Sequence, residues 1–284
     1  MNIGFVKKNL KEFFTLLSIC TTKFFVAPFV KEQYRQIIIC GIPRSGTSLT
    51  FNLLNTLVLN MVAKYPQNKQ IKNNNDNKFG ISKEISGIHF LYKKGNFITK
   101  QPDDIFNMSK FQQRNFLKKK ILVLILYRDF RDILISKHQW GEDEYYLNYE
   151  YKNTLKGGRD FKKGLKHYIF QIKQLRKKAK GENVSIEFLA YEEIVSNPDV
   201  LVDILNQYGF PNLGSGYWQG QTRKNVYSSE EIASGKIKPH KSKWRNPEYA
   251  ERIISEFDQH ECLFQELIDF GYEKDNHWFD QLKQ

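Results

Sequence analysis

The sequence contains no apolar run long enough to cross a membrane. Its N-terminal stretch, residues 1–36, is apolar but is interrupted by Lys7, Lys8, Lys11 and Lys23, whereas a membrane-spanning helix needs about 20 mostly apolar residues. A cleaved signal peptide is also a poor fit, because Lys23 breaks its apolar core. We therefore expect residues 1–35 to form a basic and apolar helical segment that packs on the rest of the chain, with weak contact to a membrane surface as the alternative.

Cysteine is scarce and acidic residues are outnumbered. Cys20, Cys40 and Cys262 are odd in number and far apart, so they predict neither a disulfide framework nor a zinc site. This favours a reducing compartment, and we expect a cytoplasmic protein without a metal site. The 44 basic and 31 acidic residues give a net charge of +13, which predicts an anionic partner: a nucleotide, another polyanion, a nucleic acid or a membrane surface.

Apolar strands and amphipathic helices alternate along the chain. Ile37–Cys40 and Lys119–Tyr127 are continuous apolar runs of the kind found in buried parallel strands. Two further strands are expected at Asn96–Thr99 and Val184–Tyr191, and helices at Leu49–Val62, Phe130–Trp140, Phe161–Lys180, Pro198–Tyr208 and Pro247–Phe270. This order predicts an α/β fold in which residues 36–284 form a single domain with a central parallel β-sheet flanked by helices.

The first expected strand leads into the glycine-rich turn Gly41–Ser48, "GIPRSGTS". Between a strand and a helix, such a turn directs backbone N–H groups at an anion. Nucleotide-binding loops of the form GxxxxGK[ST] carry a lysine for the terminal phosphates. Here Gly46 is followed by Thr47, so that lysine is absent, and Arg44 supplies the positive charge from inside the turn. The sequence thus predicts a P-loop-like phosphate site.

A second motif, "YRDFRDILIS", follows the strongest expected strand. Arg128 lies at the carboxyl end of that strand, where open α/β sheets bind ligands. Ser136 lies eight residues later, two turns into the expected helix, so both side chains are expected at this edge. Asp129 is predicted as the N-cap of the helix, with Asp132 in its first turn. A guanidinium and a hydroxyl together suit a second phosphate.

These two motifs resemble the 5′-phosphosulfate loop and the 3′-phosphate motif of sulfotransferases. The segments Leu189–Phe210, "LAYEEIVSNPDVLVDILNQYGF", and Ser234–Asn246, "SGKIKPHKSKWRN", resemble the family's Tyr-Glu-Asp-Leu…Asn-Pro segment and its C-terminal Lys-Gly…Trp-Lys-Asn loop, the latter with a few extra residues. The four segments follow the family's order and cover most of residues 36–272. The resemblance implies a sulfotransferase that uses PAPS (3′-phosphoadenosine-5′-phosphosulfate), releases 3′,5′-ADP and requires no metal.

The resemblance also implies roles for individual residues. Arg44 would stabilise charge on the bridging oxygen, and Lys100 in "TKQPDD" resembles the family's strand-end lysine, which contacts the transferring sulfonate. The implied cofactor-binding residues are Arg44, Ser45, Gly46, Thr47 and Ser48 for the 5′-phosphosulfate, Arg128 and Ser136 for the 3′-phosphate, and Tyr191, Ser234, Gly235 and Lys236.

The general base is left open between several side chains. Many relatives have a histidine two residues after the strand-end lysine, but that position is Pro102 here. Other relatives, including tyrosylprotein sulfotransferases, place a glutamate between the first loop and the lysine, which makes Glu84 the first candidate. His89 is the alternative, and Asp103 comes third.

The acceptor is expected to be a small molecule, a sugar or a lipid, held by the loops 65–90 and 141–160. Aromatic side chains in or beside the second loop are candidates for stacking, namely Trp140, Tyr145, Tyr146, Tyr149 and Tyr151. A P-loop nucleotide kinase or NTPase is the main alternative, but it would need the missing lysine. A nucleic-acid binder would interleave aromatic and basic residues on exposed strands, and no nucleic acid is expected as a partner.

Overall fold

A computed structural model describes residues 17, 20–21, 34–64, 79–83, 85–137, 145–151, 163–177, 183–209 and 242–284. Its strands form one five-stranded sheet with the order β2-β3-β1-β4-β5, and every pairing is parallel. The strands are β1 (Arg35–Gly41), β2 (Phe79–Lys83), β3 (Asn96–Lys100), β4 (Lys120–Tyr127) and β5 (Val184–Ala190). The predicted α/β class with a central parallel sheet is confirmed.

Helices follow most of the strands. They are α1 (Thr47–Lys64), α2 (Met108–Gln113), α3 (Phe130–Leu134), α4 (Leu165–Lys177), α5 (Tyr191–Ser196), α6 (Val200–Gln207), α7 (Ala250–Gln259), α8 (Cys262–Asp269) and α9 (His277–Leu282). Short 3₁₀ helices lie at Gly87–Phe90, Pro102–Asn107, Lys243–Arg245 and Pro247–Tyr249. No described helix is long and apolar enough to cross a membrane.

The central strands explain the layered core. Successive side chains of a strand point to opposite faces of the sheet, so a strand that is covered on both faces must be apolar at every position. Ile38 and Val123 lie in one buried cluster, together with residues of α4 and of the C-terminal helices. Ile37 and Leu124 lie in the other, together with residues of α1 and α6.

The helix after β4 is shorter than the sequence predicts. Asp129 is its N-cap as expected and accepts a hydrogen bond from the Arg131 amide, but α3 ends at Leu134. The chain then leaves the helix because the Ser136 carbonyl accepts the Tyr146 amide at 2.9 Å, and Lys137 forms an antiparallel bridge with Tyr145. The placement of Ser136 two turns into a helix is therefore wrong, since it lies just beyond the helix end.

The single long helix predicted at Pro247–Phe270 is also wrong. The chain is broken into a 3₁₀ turn, α7 and α8, with the break at His260, whose φ of −137° and ψ of 69° are not helical. A new helix begins there because the Leu263 amide donates to the His260 carbonyl at 2.9 Å. The sequence does not predict the strand β2, which lies within residues 65–90, the first expected acceptor loop.

The predicted apolar face of α4 is confirmed, although the helix begins at Leu165 rather than Phe161. Its buried positions are Leu165, Tyr168, Ile169, Ile172 and Leu175. The helix predicted from Pro198 begins at Val200. The expected packing of residues 1–35 lies almost entirely outside the described residues.

A buried lysine, Lys119, is hydrogen-bonded to the turn that leads into β3. Lys119 Nζ donates hydrogen bonds to the carbonyl oxygens of Phe90 at 2.8 Å and Gly95 at 3.0 Å. The same nitrogen lies 4.6 Å from the centroid of the Phe97 ring. The residue is 0% exposed, and this burial lowers the pKa of Lys119 to about 7.

We expect Lys119 to make the folded protein more stable as the pH rises from 7 to about 9.5. Over that range the unfolded lysine, with a pKa of about 10.4, still binds its proton, whereas the folded lysine has released it. The free energy of unfolding should therefore rise by up to about 1.4 kcal/mol per pH unit. Below pH 7 both states are protonated and this contribution is constant.

Urea unfolding of the wild type and of Lys119→Met at several pH values measures this effect. The wild-type free energy of unfolding, minus that of the variant, should increase with pH, and the subtraction removes the titration of all other groups. A difference that does not change with pH would show that Lys119 keeps its proton in the folded state.

Candidate active site

Two glycines shape the turn between β1 and α1. A Cβ atom on Gly41, which has φ of 126°, would lie 2.1 Å from the Leu126 carbonyl oxygen, and one on Gly46, with φ of 87°, would lie 2.5 Å from the Tyr191 ring. Both positions therefore require glycine. The turn leads directly into α1, where the Thr50 amide donates to the Gly46 carbonyl at 3.0 Å. The N-terminus of α1 thus faces this turn, in the arrangement of known anion sites.

Arg44 lies at the exposed tip of the turn and contacts the second motif. Its backbone has φ of 71°, which is uncommon for a residue with a side chain. Its Nε atom donates a hydrogen bond to Ser136 Oγ at 2.7 Å. Arg44 and Ser136 are 92 residues apart in the sequence, so this bond brings the two motifs into direct contact.

Lys100 approaches the same turn from the neighbouring strand. It is the last residue of β3 and aligns with Ile39 of β1 in the parallel register. Its Nζ atom donates to Ser48 Oγ at 3.1 Å, and the residue is 9% exposed. The ammonium group is thus held beside the first turn of α1.

Arg128 follows the carboxyl end of β4, as predicted. Its Nη2 atom donates to Asp132 Oδ2 at 2.8 Å, and its guanidinium lies 4.4 Å from the centroid of the Tyr191 ring. Tyr191 opens α5 and packs on Gly46. The aromatic ring therefore lies between the turn and the guanidinium, and it links the two predicted phosphate subsites.

Ser45 and Thr47 also carry hydroxyl groups in this turn, and they differ in their position. Ser45 is fully buried, and its Oγ atom lies 2.6 Å from the Ile42 carbonyl oxygen and 3.1 Å from that of Leu126, so its single hydroxyl proton is within reach of both. The Ser45 side chain thus supports the turn from inside. Thr47 is 5% exposed and is the first residue of α1.

Two of the three candidate bases, His89 and Asp103, lie in the described part of the chain, and Glu84 lies outside it. His89 is half-buried in the 3₁₀ helix Gly87–Phe90, which follows Ser86. Asp104, 0% exposed, holds the start of this helix, since it accepts hydrogen bonds from Ser86 Oγ and from the Gly87 amide at 2.7 Å. Burial raises the pKa of Asp104, and its hydrogen bonds with Ser86, Gly87 and Asn107 oppose that rise.

Asp103, the third candidate, accepts a hydrogen bond from the hydroxyl of Tyr168 in α4. Sequence reasoning assigned no role to Asp104. The only available signal was its place four residues after Lys100.

Most described tyrosines of the second expected acceptor loop are partly buried against the core. Tyr145, Tyr146 and Tyr149 pack against the core. Tyr149 contacts the C-terminal helices: its hydroxyl lies 2.8 Å from Cys262 Sγ, and its ring centroid lies 4.5 Å from that of His260. Trp140 and most of the two expected acceptor loops lie outside the described residues, as do the predicted cofactor contacts Ser234, Gly235 and Lys236.

A buried cluster that the sequence did not indicate docks the C-terminal segment, residues 242–284, on α3. The guanidinium of Arg131 lies 3.8 Å from the Trp244 ring and 4.4 Å from the Trp278 ring. It also forms ion pairs with Asp129 at 2.7 Å and Glu273 at 2.5 Å. A buried charge is costly unless it is paired, and Arg131 is paired here while it packs on Trp244. These contacts join the C-terminal segment to α3, the helix that follows β4.

Three basic side chains therefore lie at the carboxyl edge of the sheet, one of them paired with a buried carboxylate. Arg44, Lys100 and Arg128 meet there with hydroxyl groups and with the N-terminus of α1. Such donors suit a ligand with more than one phosphate or sulfate group. Within the described part of the chain, no cluster of His, Cys, Asp or Glu is arranged to hold a metal ion.

Comparison with known proteins defines the class. The sulfotransferase domain family matches residues 34–227, which is more than half of the chain. The chain therefore belongs to the sulfotransferase family, and as a sulfotransferase it is an enzyme that transfers sulfuryl groups.

The solved structures include the "Sulfotransferase Domain from the Curacin Biosynthetic Pathway". It is 12% identical, and the alignment covers 72% of this chain and 83% of that chain with a TM-score of 0.36. No curated protein matched the chain.

Proposed function

We propose that the protein transfers a sulfuryl group from PAPS to a hydroxyl or amine of a small molecule, sugar or lipid. The observation that carries this proposal is the 2.7 Å hydrogen bond from Arg44 Nε to Ser136 Oγ. It brings together the two motifs that resemble the family's 5′-phosphosulfate loop and 3′-phosphate site. A donor with anionic groups at both its 5′ and 3′ positions fits a site built from both motifs.

The donor set fits PAPS better than a nucleoside triphosphate. The turn lacks the lysine that contacts β- and γ-phosphates, and PAPS has no γ-phosphate. When bound, PAPS would supply the sulfuryl group and leave as 3′,5′-ADP. The residues that would hold it are the turn Arg44–Ser48 at the 5′ end and Arg128 and Ser136 at the 3′ end.

Arg44 and Lys100 have distinct tasks in this proposal. Sulfuryl transfer resembles phosphoryl transfer, in which catalysis consists mostly of positioning and of stabilising charge. Arg44 neutralises the charge that develops on the leaving 5′-phosphate oxygen. Lys100, held by Ser48, stabilises the oxygen atoms of the sulfonate.

The acceptor must lose a proton as it attacks, and Glu84 or His89 accepts it. Both belong to the connection from β2 to β3, whose 3₁₀ helix is anchored by Asp104. Asp103 is the weaker choice because Tyr168 already donates to its carboxylate. A positioned base must lie within hydrogen-bond reach of the acceptor, so this connection is the proposed acceptor side of the site.

Thermal unfolding with three ligands separates this function from its alternatives. A ligand that binds only the folded state raises the melting temperature. We expect 3′,5′-ADP to do so in the presence of EDTA. Stabilisation by ATP with magnesium alone would favour a kinase or NTPase, and stabilisation by an oligonucleotide alone would favour a nucleic-acid binder.

Arg128→Ala is expected to weaken the binding of 3′,5′-ADP by about 2–4 kcal/mol, because charge-assisted hydrogen bonds are among the strong ones. This corresponds to a loss of roughly 30- to 700-fold in affinity. The affinity for 5′-AMP, which lacks the 3′-phosphate, should barely change. Titration calorimetry of both nucleotides measures the two effects.

Lys283→Ala is the matched control for the loss of one positive charge, because Lys283 pairs with Asp258 near the C-terminus. It should leave both affinities as they are. An equal loss of both nucleotides in Arg128→Ala would show that Arg128 does not recognise the 3′-phosphate.

A further inference from the structure

One carboxylate links the proposed 3′-phosphate arginine to the C-terminal segment. Asp132 Oδ2 accepts from Arg128 Nη2 at 2.8 Å, and Asp132 Oδ1 accepts from the backbone amide of Trp244 at 3.1 Å. The Asp132 side chain is 0% exposed and that of Arg128 is 11% exposed. The carboxylate therefore lies on the buried side of the guanidinium.

The Trp244 end of this link is also held by contacts that do not involve Asp132. Arg131 packs against the rings of both Trp244 and Trp278, which contact each other edge to face, and it forms an ion pair with Glu273 at 2.5 Å. Trp244 is 2% exposed. The Trp244 amide is therefore held in place by contacts other than its hydrogen bond to Asp132. The Asp132 carboxylate accepts from this amide on one oxygen and from Arg128 on the other.

We propose that Asp132 is a positioning residue that aligns the Arg128 guanidinium for the 3′-phosphate and makes this alignment depend on the docked C-terminal segment. The inference rests on the proposed function. An arginine side chain has many rotamers, and fixing them costs entropy, while recognition of a phosphate by two parallel N–H donors requires a defined plane. The Tyr191 ring restrains the face of the guanidinium, and Asp132 restrains its edge.

Charge and alignment predict opposite effects of removing this carboxylate. A negative charge beside a phosphate site repels the phosphate, so a purely electrostatic role predicts that Asp132→Asn strengthens the binding of 3′,5′-ADP. Alignment predicts the reverse. Asparagine replaces one of the two carboxylate oxygens with an amide nitrogen that only donates. It therefore cannot accept from Arg128 on one oxygen and from Trp244 on the other, as the carboxylate does.

The test is titration calorimetry of Asp132→Asn with 3′,5′-ADP and 5′-AMP. We expect the affinity for 3′,5′-ADP to fall by about tenfold or more and that for 5′-AMP to change by less than about twofold. In the Arg128→Ala background, Asp132→Asn should cost no further affinity, because the two residues act through one contact. The ratio to compare is the affinity for 3′,5′-ADP divided by the affinity for 5′-AMP. If this ratio is unchanged or higher in Asp132→Asn than in the wild type, the inference is overturned.

Asp129→Asn is the matched control. Asp129 is a second buried carboxylate of the same turn, but it pairs with Arg131 rather than Arg128. This variant should lower the melting temperature and leave the ratio of the two nucleotide affinities unchanged. An equal fall of the ratio in both variants would show that loss of the docked C-terminal segment, and not of the Asp132 contact, is responsible.

Hydrogen exchange of the wild type gives a second measurement that needs no variant. If 3′,5′-ADP tightens Arg128 against Asp132, the Trp244 amide should exchange more slowly with 3′,5′-ADP than with saturating 5′-AMP. Equal protection by the two nucleotides would overturn the coupling.

If the wild type shows no preference for 3′,5′-ADP over 5′-AMP, the proposed function fails together with this inference. A wild-type preference that Asp132→Asn keeps overturns the inference alone.

Discussion

Replacing Arg44 by alanine is expected to lower turnover more than a hundredfold, which is the range found when one donor to a developing charge is removed. The side chain is exposed at the tip of the turn, and its described hydrogen bond is to Ser136 at 2.7 Å. The fold should survive, because the shape of the turn depends on Gly41, Gly46 and the buried Ser45 instead.

The measurement is the release of 3′,5′-ADP at saturating PAPS, with an acceptor found by screening with labelled PAPS. Arg44→Lys is the informative companion variant, since it keeps the charge and loses the planar group of donors. We expect it to recover part of the lost turnover. Near-normal turnover of a folded Arg44→Ala variant would remove this arginine from the mechanism.

Loss of the general base is expected to cost on the order of 10²–10⁴ in rate. Glu84→Gln and His89→Ala are compared at saturating PAPS, so that effects on donor binding do not enter. We expect the larger loss for Glu84→Gln, in agreement with the relatives that place a glutamate between the first loop and the lysine. The reverse order would assign the base to His89.

Asp104→Asn accompanies this comparison because Asp104 anchors the segment without being a candidate base itself. A loss of activity in this variant reports on the position of the segment and not on proton transfer. If neither Glu84→Gln nor His89→Ala changes the rate tenfold, both assignments fail and Asp103 becomes the next candidate.

The sequence predicts those parts of the fold whose signal is local. The apolar runs at β1 and β4 mark strands that are buried on both faces, and the spacing of Leu165, Tyr168 and Ile172 marks the buried face of α4. Asp129 was recognisable as an N-cap because that role depends only on the residues that follow it.

The parts that the sequence does not predict depend on contacts between distant residues. The helix after β4 ends at Leu134 because Ser136 pairs with Tyr146, a contact that no helical pattern reveals. Asp132 looks like an ordinary acid at a helix N-terminus, yet it is buried against Trp244, 112 residues away. The contact between Arg44 and Ser136 could be expected only because two motifs were assigned to one edge of the sheet.

Titration calorimetry of the wild-type protein with 3′,5′-ADP, 5′-AMP and ATP–magnesium tests the central claim most directly, because the 3′-phosphate distinguishes PAPS from ordinary nucleotides. The site predicts binding of 3′,5′-ADP in the presence of EDTA, at least about 30-fold tighter than binding of 5′-AMP. Binding of ATP–magnesium without any metal-free binding of 3′,5′-ADP would contradict it.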